Sequence, residues 1–200
     1  MDIKSLQEKC QRNGFELVYV QTKEEALEKA KNYIKPGVSV GLGGSVTVDE
    51  VGVMDFLVSK KDITLFNQYE DGISKEENIH RRKRGMVSDI FITGTNALTL
   101  EGELVNCDGD GNRVAGQIYG SDKLLIITGV NKIVKDINEG FDRIKNIAAV
   151  KNVERLNRKA LTFGKEPYHT IDGISKKYTI ITADVPGRTT IILVNETLGY

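Results

Sequence analysis

Two apolar runs in the middle of the sequence are each followed by polar residues that could bind a ligand. Ile90–Ile92 and Leu124–Ile127 both continue into Thr-Gly, the first leading to Thr95 and Asn96 and the second to Lys132. Apolar runs of this length are typical of buried parallel strands. Ligands of open α/β sheets bind at the carboxyl ends of such strands. We therefore expect both polar turns to open at one edge of a sheet.

A polar, glycine-rich segment lies between the two runs, with the sequence NCDGDGNR at residues 106–113. Its alternating acidic residues resemble a calcium loop, but no glutamate stands at the twelfth position. Acidic, amide and guanidinium groups together favour a polyol, phosphate or carboxylate ligand instead. We predict Asn96 and Asp108 as catalytic residues that orient or deprotonate substrate hydroxyls. The binding residues predicted here are Thr95, Gly109, Gly111, Asn112 and Arg113. The alternative is a turn closed by Asx hydrogen bonds, with Arg113 in a structural ion pair.

A second glycine-rich turn follows the predicted strand at residues 38–42 and reads GLGGSVT at residues 41–47. Glycine lets backbone N–H groups approach a ligand, and a helix predicted to follow would favour an anion. The turn is neither a Walker A motif nor a complete GxGxxG, so a tight turn without a ligand is the alternative. The binding residues predicted in this turn are Gly41, Gly43, Gly44, Ser45 and Thr47. Lys132 is predicted to neutralise the charge of the same ligand.

The cysteines and histidines do not form a metal or redox motif. The chain has two of each, and neither Cys10 nor Cys107 belongs to a CxxC or Cys/His pattern. Four thiolates are needed to hold an iron–sulfur cluster, so this chain cannot bind one by itself. His80 and His169 lack ligand spacing, which predicts that there is no metal site. No cofactor can be identified from these residues.

Charge and hydropathy limit the kinds of partner that the protein can have. The 28 basic and 28 acidic residues give zero formal charge, so no net field favours nucleic acid or an anionic membrane. The basic run at residues 80–84 (HRRKR) lacks interleaved aromatic residues and is interpreted as a solvated helix end. The apolar runs are too short to cross a bilayer, and the first residues lack a signal-peptide pattern. We expect a cytoplasmic protein that binds neither nucleic acid nor membrane; a homo-oligomeric state stays open.

The order of predicted elements indicates one α/β domain over residues 1–200. Strands are predicted at 15–20, 38–42, 62–66, 89–92 and 123–128, with helices at 2–12, 22–34, 45–58, 74–84, 112–119 and 136–158. Such alternation favours a mainly parallel sheet with helices on both faces. Residues 99–106 are predicted to form a small hairpin at the rim. The segments 178–183 and 189–194 flank Pro186-Gly187 and are predicted to form a C-terminal antiparallel β unit.

Four segments of the chain resemble the LUD (lactate utilization) domain family, which includes LutC-like proteins. They are GLGGSVT at residues 41–47, SDIFITGTNALTLEGELVNCDGDGNRVAGQIYG at 88–120, ITGVNKIVKD at 127–136 and IILVNETLGY at 191–200. The resemblance implies a fold related to ribose-5-phosphate isomerases and CoA transferases (the NagB/RpiA/CoA-transferase-like fold). It also implies a role in L-lactate oxidation to pyruvate beside iron–sulfur partner proteins. Many members carry a cysteine-rich stretch before the final strands, whereas residues 161–177 of this chain contain no cysteine.

Three functions remain open from the sequence. The first is binding of a small anionic or phosphorylated metabolite, in the lactate pathway that the resemblance implies. The second is a stand-alone sugar-phosphate isomerase or CoA-transferase-like enzyme. It requires a desolvated carboxylate in the pocket, for which Glu103 and Asp108 are the candidates. The third is a non-enzymatic regulatory or assembly module, which would tolerate substitution of Asn96 and Asp108.

Overall fold

The computed structural model describes residues 2–200 and contains two β-sheets. The strands are β1 (Glu16–Val20), β2 (Ser39–Leu42), β3 (Thr64–Phe66), β4 (Ile90–Thr93), β5 (Ala97–Thr99), β6 (Leu104–Asp108), β7 (Lys123–Gly129), β8 (Ile133–Val134), β9 (Lys177–Ile181) and β10 (Thr189–Val194). The larger sheet has the order β1-β10-β7-β4-β2-β3, and every pairing in it is parallel. The smaller sheet is mixed and has the order β8-β5-β6-β9.

Helices connect most of the strands of the large sheet. They are α1 (Ile3–Arg12), α2 (Lys23–Lys31), α3 (Val46–Glu50), α4 (Val53–Ser59), α5 (Lys75–Met86), α6 (Asn112–Ile118), α7 (Ile137–Arg143), α8 (Ala149–Thr162) and α9 (Ile171–Ile174). A π-helical segment, Ile144–Ala148, joins α7 to α8, so the helix predicted at residues 136–158 continues to Thr162 with a change of winding in the middle. Among residues 2–200, no helix is both long and apolar enough to cross a membrane.

The large sheet is buried on both faces. Along β7, Leu125 and Ile127 belong to one apolar cluster, while Leu124 and Ile126 belong to another. Because successive side chains of a strand point to opposite faces, the two clusters lie on opposite sides of the sheet. Residues of α2, α3 and α4 complete the first cluster, and residues of α1 the second. The predicted mainly parallel sheet with helices on both faces is confirmed.

The antiparallel pairing predicted for the C-terminal segments is wrong. Strand β10 lies between β1 and β7 in the large sheet and is parallel to both. Strand β9 instead pairs antiparallel with β6 in the small sheet. All six residues of β10 are buried, as a central strand requires. The hairpin expected near the rim does form, from β5 and β6.

Two helix boundaries differ from the sequence prediction. The helix predicted at residues 45–58 is divided into α3 and α4 at Gly52, and Ser45 caps α3, its hydroxyl accepting from Val48 N at 3.3 Å. Thr47 is fully buried inside the helix. Helix α5 was predicted to end at residue 84 but continues through Gly85 to Met86. Gly85 is buried where α5 contacts β2. Thr22, in contrast, caps α2 as predicted, accepting from Glu25 N at 3.2 Å.

Candidate functional site

A cavity of about 690 Å³ lies at the carboxyl ends of β2 and β4. This volume is in the range of small-molecule sites. Its wall combines the turn after β2, the turn after β4, the end of β6, the start of α6 and a lysine that follows β7. The predicted site residues that line it are Gly44, Ser45, Thr95, Asn96, Asp108, Gly109, Asn112, Arg113 and Lys132. Strands β2, β4 and β7 are neighbours, which is why turns distant in sequence meet at one edge.

Arg113 organises the rim from the first turn of α6. Its guanidinium is buried and donates to Asn106 Oδ1 and Asn96 Oδ1, both at 2.8 Å, and to the Cys107 carbonyl at 2.6 Å. All of these acceptors are uncharged, and burial lowers the pKa of Arg113. The guanidinium therefore fixes the rim and also adds a positive charge that its immediate partners leave uncompensated.

Lys132 is the second buried cation. Its side chain is 3% exposed, and its Nζ donates to Thr47 Oγ1 at 2.8 Å. Burial, followed by the nearby charges of Arg143 and Arg113, lowers the pKa of Lys132 to about 7. Near neutral pH this amine is thus divided between its charged and neutral forms, unlike a surface lysine.

Arg143, in α7, is a third buried cation, which the sequence did not indicate. It donates to the Asn96 carbonyl at 2.6 Å and to the Asn131 carbonyl at 3.2 Å, and burial lowers its pKa. Among residues 2–200, none of these three cations lies within 4.0 Å of a carboxylate. Arg113 and Lys132 line the cavity and Arg143 lies behind its rim, so two buried cations without a carboxylate partner face the cavity.

The two predicted catalytic residues are held by backbone and side-chain bonds. Asn96 Oδ1 accepts from Cys107 N at 2.9 Å as well as from Arg113. Asp108 Oδ2 accepts from the backbone N–H groups of Arg113 at 3.0 Å and Val114 at 3.4 Å, which caps α6. Both side chains line the cavity. Their observed contacts position the rim, and a role in chemistry stays a prediction.

Four predicted binding residues do not line the cavity. Gly41 faces the backbone of Gly85 in α5, and Gly43 donates its N–H to the Ile92 carbonyl at 2.9 Å. Thr47 reaches the site only through its bond to Lys132. Gly111 precedes α6 with a φ of 100°, a conformation that favours glycine. These residues shape the loops that carry the site.

The turn after β2 contributes two backbone donors. In the part of the chain that the structure describes, the N–H groups of Gly44 and Ser45 make no hydrogen bond to backbone. The Ser45 hydroxyl is used to cap α3. Because α3 has only five residues, its dipole is small, and the contribution of this turn to anion binding is limited to its N–H groups.

Asp49 is a cavity carboxylate that the sequence reasoning missed. It lies in α3, four residues after Ser45; the residue is exposed to solvent, and its carboxylate oxygens accept no hydrogen bond within residues 2–200. Burial raises the pKa of Asp49, against the opposing charge of Arg155. A separation of four residues on a helix puts two side chains on one face, so this signal was present in the sequence. Glu103, the candidate chosen instead, does not line the cavity and accepts from Thr99 Oγ1 at 3.0 Å.

The basic run of α5 is engaged by acidic neighbours. Arg81 pairs with Glu77 at 2.6 Å and also with Glu70. Arg82 pairs with Asp110 at 2.6 Å and thereby ties α5 to the rim loop. No group of three or more metal-binding side chains occurs in residues 2–200. Cys107 lines the cavity, and its partial burial raises the pKa of the thiol.

The solved structures that resemble this fold have low sequence identity to this chain. A DUF162 family protein from Deinococcus radiodurans is 15% identical, with a TM-score of 0.53 over 96% of this chain and 95% of that one. Ribose 5-phosphate isomerase A from Neisseria gonorrhoeae is 18% identical, with a TM-score of 0.39 over 76% of this chain and 72% of that one. A D-ribose-5-phosphate isomerase in complex with phospho-erythronic acid is 11% identical, with a TM-score of 0.42 over 86% and 93%. No curated protein matches the sequence.

The family, in contrast, is well defined by sequence. The model of the LUD domain matches residues 3–194, which is nearly the whole chain. That span includes the glycine-rich turn after β2, the rim loop and all ten strands. The structural similarity to the Deinococcus radiodurans protein extends over the same length and supports the fold. The chain therefore belongs to the LUD domain family.

Proposed function

We propose that the protein binds a small anionic or phosphorylated metabolite in the cavity at the ends of β2 and β4. The observation that carries this proposal is the pair of buried cations that line the cavity without a carboxylate partner, Arg113 and Lys132, with Arg143 buried behind the rim. Buried charge is costly unless it is paired, so a bound anion would supply the missing countercharge. The N–H groups of Gly44 and Ser45 are the nearest uncommitted backbone donors.

Membership of the LUD domain family suggests which anion to consider first. We propose L-lactate or its oxidation product pyruvate, with the electrons passed to iron–sulfur partner proteins. Each of these acids carries one carboxylate, which a site with several cations would accept. A sugar phosphate satisfies the same charge requirement with a larger polyol part. The relative affinity for the two classes therefore decides between a lactate pathway and sugar-phosphate chemistry.

The test is a thermal-shift measurement at constant ionic strength. L-lactate, pyruvate, inorganic phosphate and ribose 5-phosphate are each added to the purified protein, with lactamide as the uncharged control. A ligand that binds the native state stabilises it by about 2.7 kcal/mol at a hundred times its dissociation constant. We expect at least one anion to raise the melting temperature and lactamide to leave it unchanged.

Lys132→Met tests the position of the site. It removes one of the three cations, and we expect binding to weaken by at least about tenfold, which corresponds to about 1.4 kcal/mol. Lys123→Met is the matched control. Lys123 starts strand β7, which Lys132 follows, but it lies outside the cavity, and its Nζ is 3.9 Å from Glu16 Oε2. Equal anion binding by the wild type and Lys132→Met would contradict the proposal.

A second candidate function, proton-transfer catalysis of the isomerase kind, is favoured by Asp49. Its carboxylate lines the cavity, accepts no hydrogen bond from the protein within residues 2–200 and has a raised pKa caused mainly by burial. A cavity carboxylate with a raised pKa is suited to remove a proton next to a carbonyl group. Asp49 fits that role better than Glu103, which does not line the cavity, and better than Asp108, whose carboxylate is bound to backbone N–H groups of α6.

Exchange of substrate hydrogen for deuterium, followed by NMR in D2O, measures this activity directly. With pyruvate or ribose 5-phosphate as substrate, we expect Asp49→Asn to slow exchange by about a hundredfold, since a positioned general base contributes about that much or more. Glu103→Gln is the matched control, because Glu103 lies outside the cavity. Exchange at the same rate in the wild type and Asp49→Asn would rule Asp49 out as the base.

A further inference from the structure

Lys132 has features of a nucleophilic amine as well as of an anion-binding cation. We propose that its Nζ condenses with the carbonyl group of a small anionic carbonyl compound, of the 2-oxo acid class, to form an imine in the cavity. The inference rests on the proposed anion site, because that site would hold the acid group of the same molecule. It adds a covalent step that anion binding does not require.

The position of the amine supports this step. Lys132 lines the cavity although only 3% of its side chain is exposed. Thr47 Oγ1 accepts one N–H of the amine at 2.8 Å, and the Thr47 hydroxyl itself donates to the Leu198 carbonyl at 3.3 Å. The amine is thus fixed by a single neutral oxygen, and no carboxylate within 4.0 Å holds it in the charged form.

The charges around the amine favour its neutral form. Burial has the largest effect, and the guanidinium groups of Arg143 and Arg113 act in the same direction, so the pKa falls to about 7. Glu50 acts weakly in the opposite direction. At about pH 7 the neutral fraction is on the order of a thousandfold larger than that of a lysine with an ordinary pKa. Desolvation next to another cation is a known way in which proteins activate a lysine nucleophile.

The proposed reaction balances without an oxidant or a cofactor. The lone pair of Nζ attacks the carbonyl carbon, and the electrons of the C=O bond move to oxygen. A proton passes from nitrogen to that oxygen, and the resulting carbinolamine loses one water molecule to give the C=N bond. The acid group of the substrate would lie next to the Arg113 guanidinium and the Gly44–Ser45 turn, which would orient the carbonyl carbon toward the amine.

Pyruvate and L-lactate form a suitable pair of probes, because both are anions of similar size and only pyruvate has a carbonyl group. The full-length protein is incubated with each acid and sodium cyanoborohydride near neutral pH, and the modified lysine is identified by peptide mass spectrometry. The reductant converts an imine into a stable secondary amine. We expect one reduced pyruvate adduct, at Lys132, and no adduct with L-lactate.

Two variants complete the design. Lys132→Arg keeps a cation at the site but cannot form an imine, so we expect it to carry no adduct. Lys123→Arg removes another partly buried lysine of β7, whose Nζ donates to the Gly187 carbonyl at 2.9 Å, and should label as the wild type does. An adduct at Lys132 in the wild type and Lys123→Arg, absent from Lys132→Arg, supports the proposal.

The remaining outcomes overturn it in distinguishable ways. Pyruvate that raises the melting temperature but gives no adduct at Lys132, or adducts spread evenly over the lysines, refutes the imine and leaves the anion site standing. If phosphate or ribose 5-phosphate raises the melting temperature but neither acid does and no adduct forms, the imine alone is refuted; if none of the four anions does and no adduct forms, both the anion site and the imine are refuted.

Discussion

Lys132→Met is expected to raise the free energy of unfolding of the ligand-free protein by about 2 kcal/mol near neutral pH. The wild type holds this amine buried among two guanidinium groups, with one neutral oxygen as its partner. Methionine fills a similar volume without a charge to desolvate. The Thr47 hydroxyl keeps the Leu198 carbonyl as its acceptor after the substitution. The same change would therefore stabilise the fold and weaken anion binding, as expected of a residue retained for function.

The lowered pKa of Lys132 also makes the free energy of unfolding depend on pH. Because the pKa of Lys132 is lowered to about 7 in the folded state, the unfolded chain binds more protons than the native protein between about pH 7 and the ordinary lysine pKa. The free energy of unfolding must then rise with pH in that window. We expect a rise of about 1 kcal/mol between about pH 7 and about pH 8, measured by urea unfolding. Below about pH 7 this contribution levels off, since both states are protonated.

Lys132→Arg is the matched control for both measurements. Arginine stays charged over the whole range, so its stability should be lower than that of Lys132→Met and independent of pH in this window. The measurement stops at about pH 8, below the ordinary pKa of cysteine. Burial raises the pKa of Cys10 to about 12, so at higher pH the thiol would ionise first in the unfolded chain and lower the free energy of unfolding. A slope that persists unchanged in Lys132→Met would show that another group is responsible.

The central part of the fold could be predicted because its signals are local. The apolar runs of β4 and β7 are buried on both faces, and each ends in a turn at the same edge of the sheet. These features depend on residues next to one another in sequence. Arg113 and Asn96 could be placed together for the same reason, since both follow strand ends of one block of sequence.

The placement of β10 could not be predicted from local signals alone. The Pro186-Gly187 turn before it suggested a hairpin, yet Thr189–Val194 is an uninterrupted buried run that fits a central parallel strand better. Arg143 is a different case, because it lies 47 residues from Asn96 in sequence. Only the packing of α7 against the rim brings its guanidinium to the Asn96 carbonyl. A contact between residues so far apart in sequence has no local sequence motif, so it could not be predicted from the sequence.

Gly41 offers the clearest test of how the fold positions the site. It was predicted to bind a ligand, but it lies in β2 against α5. A Cβ at this position would lie 2.5 Å from both the carbonyl carbon and the Cα of Gly85, and closer still to the Gly85 oxygen. Those atoms are backbone and cannot turn aside as a flexible side chain could. Gly41→Ala must therefore push α5 away from β2.

We expect Gly41→Ala to lower the free energy of unfolding by about 3 kcal/mol, because overpacking against backbone is relieved only by moving whole elements. Denaturant unfolding at equilibrium measures this change. Gly173→Ala, in α9, is the control, since the only nearby atom is Thr170 Oγ1 at 2.9 Å, and we expect a change of less than about 1 kcal/mol. A comparably small change in Gly41→Ala would mean that β2 and α5 are less tightly packed than this contact implies.

The Gly44–Ser45 turn directly follows β2, so the loss of stability in Gly41→Ala should be accompanied by weaker anion binding, which the thermal-shift measurement would detect.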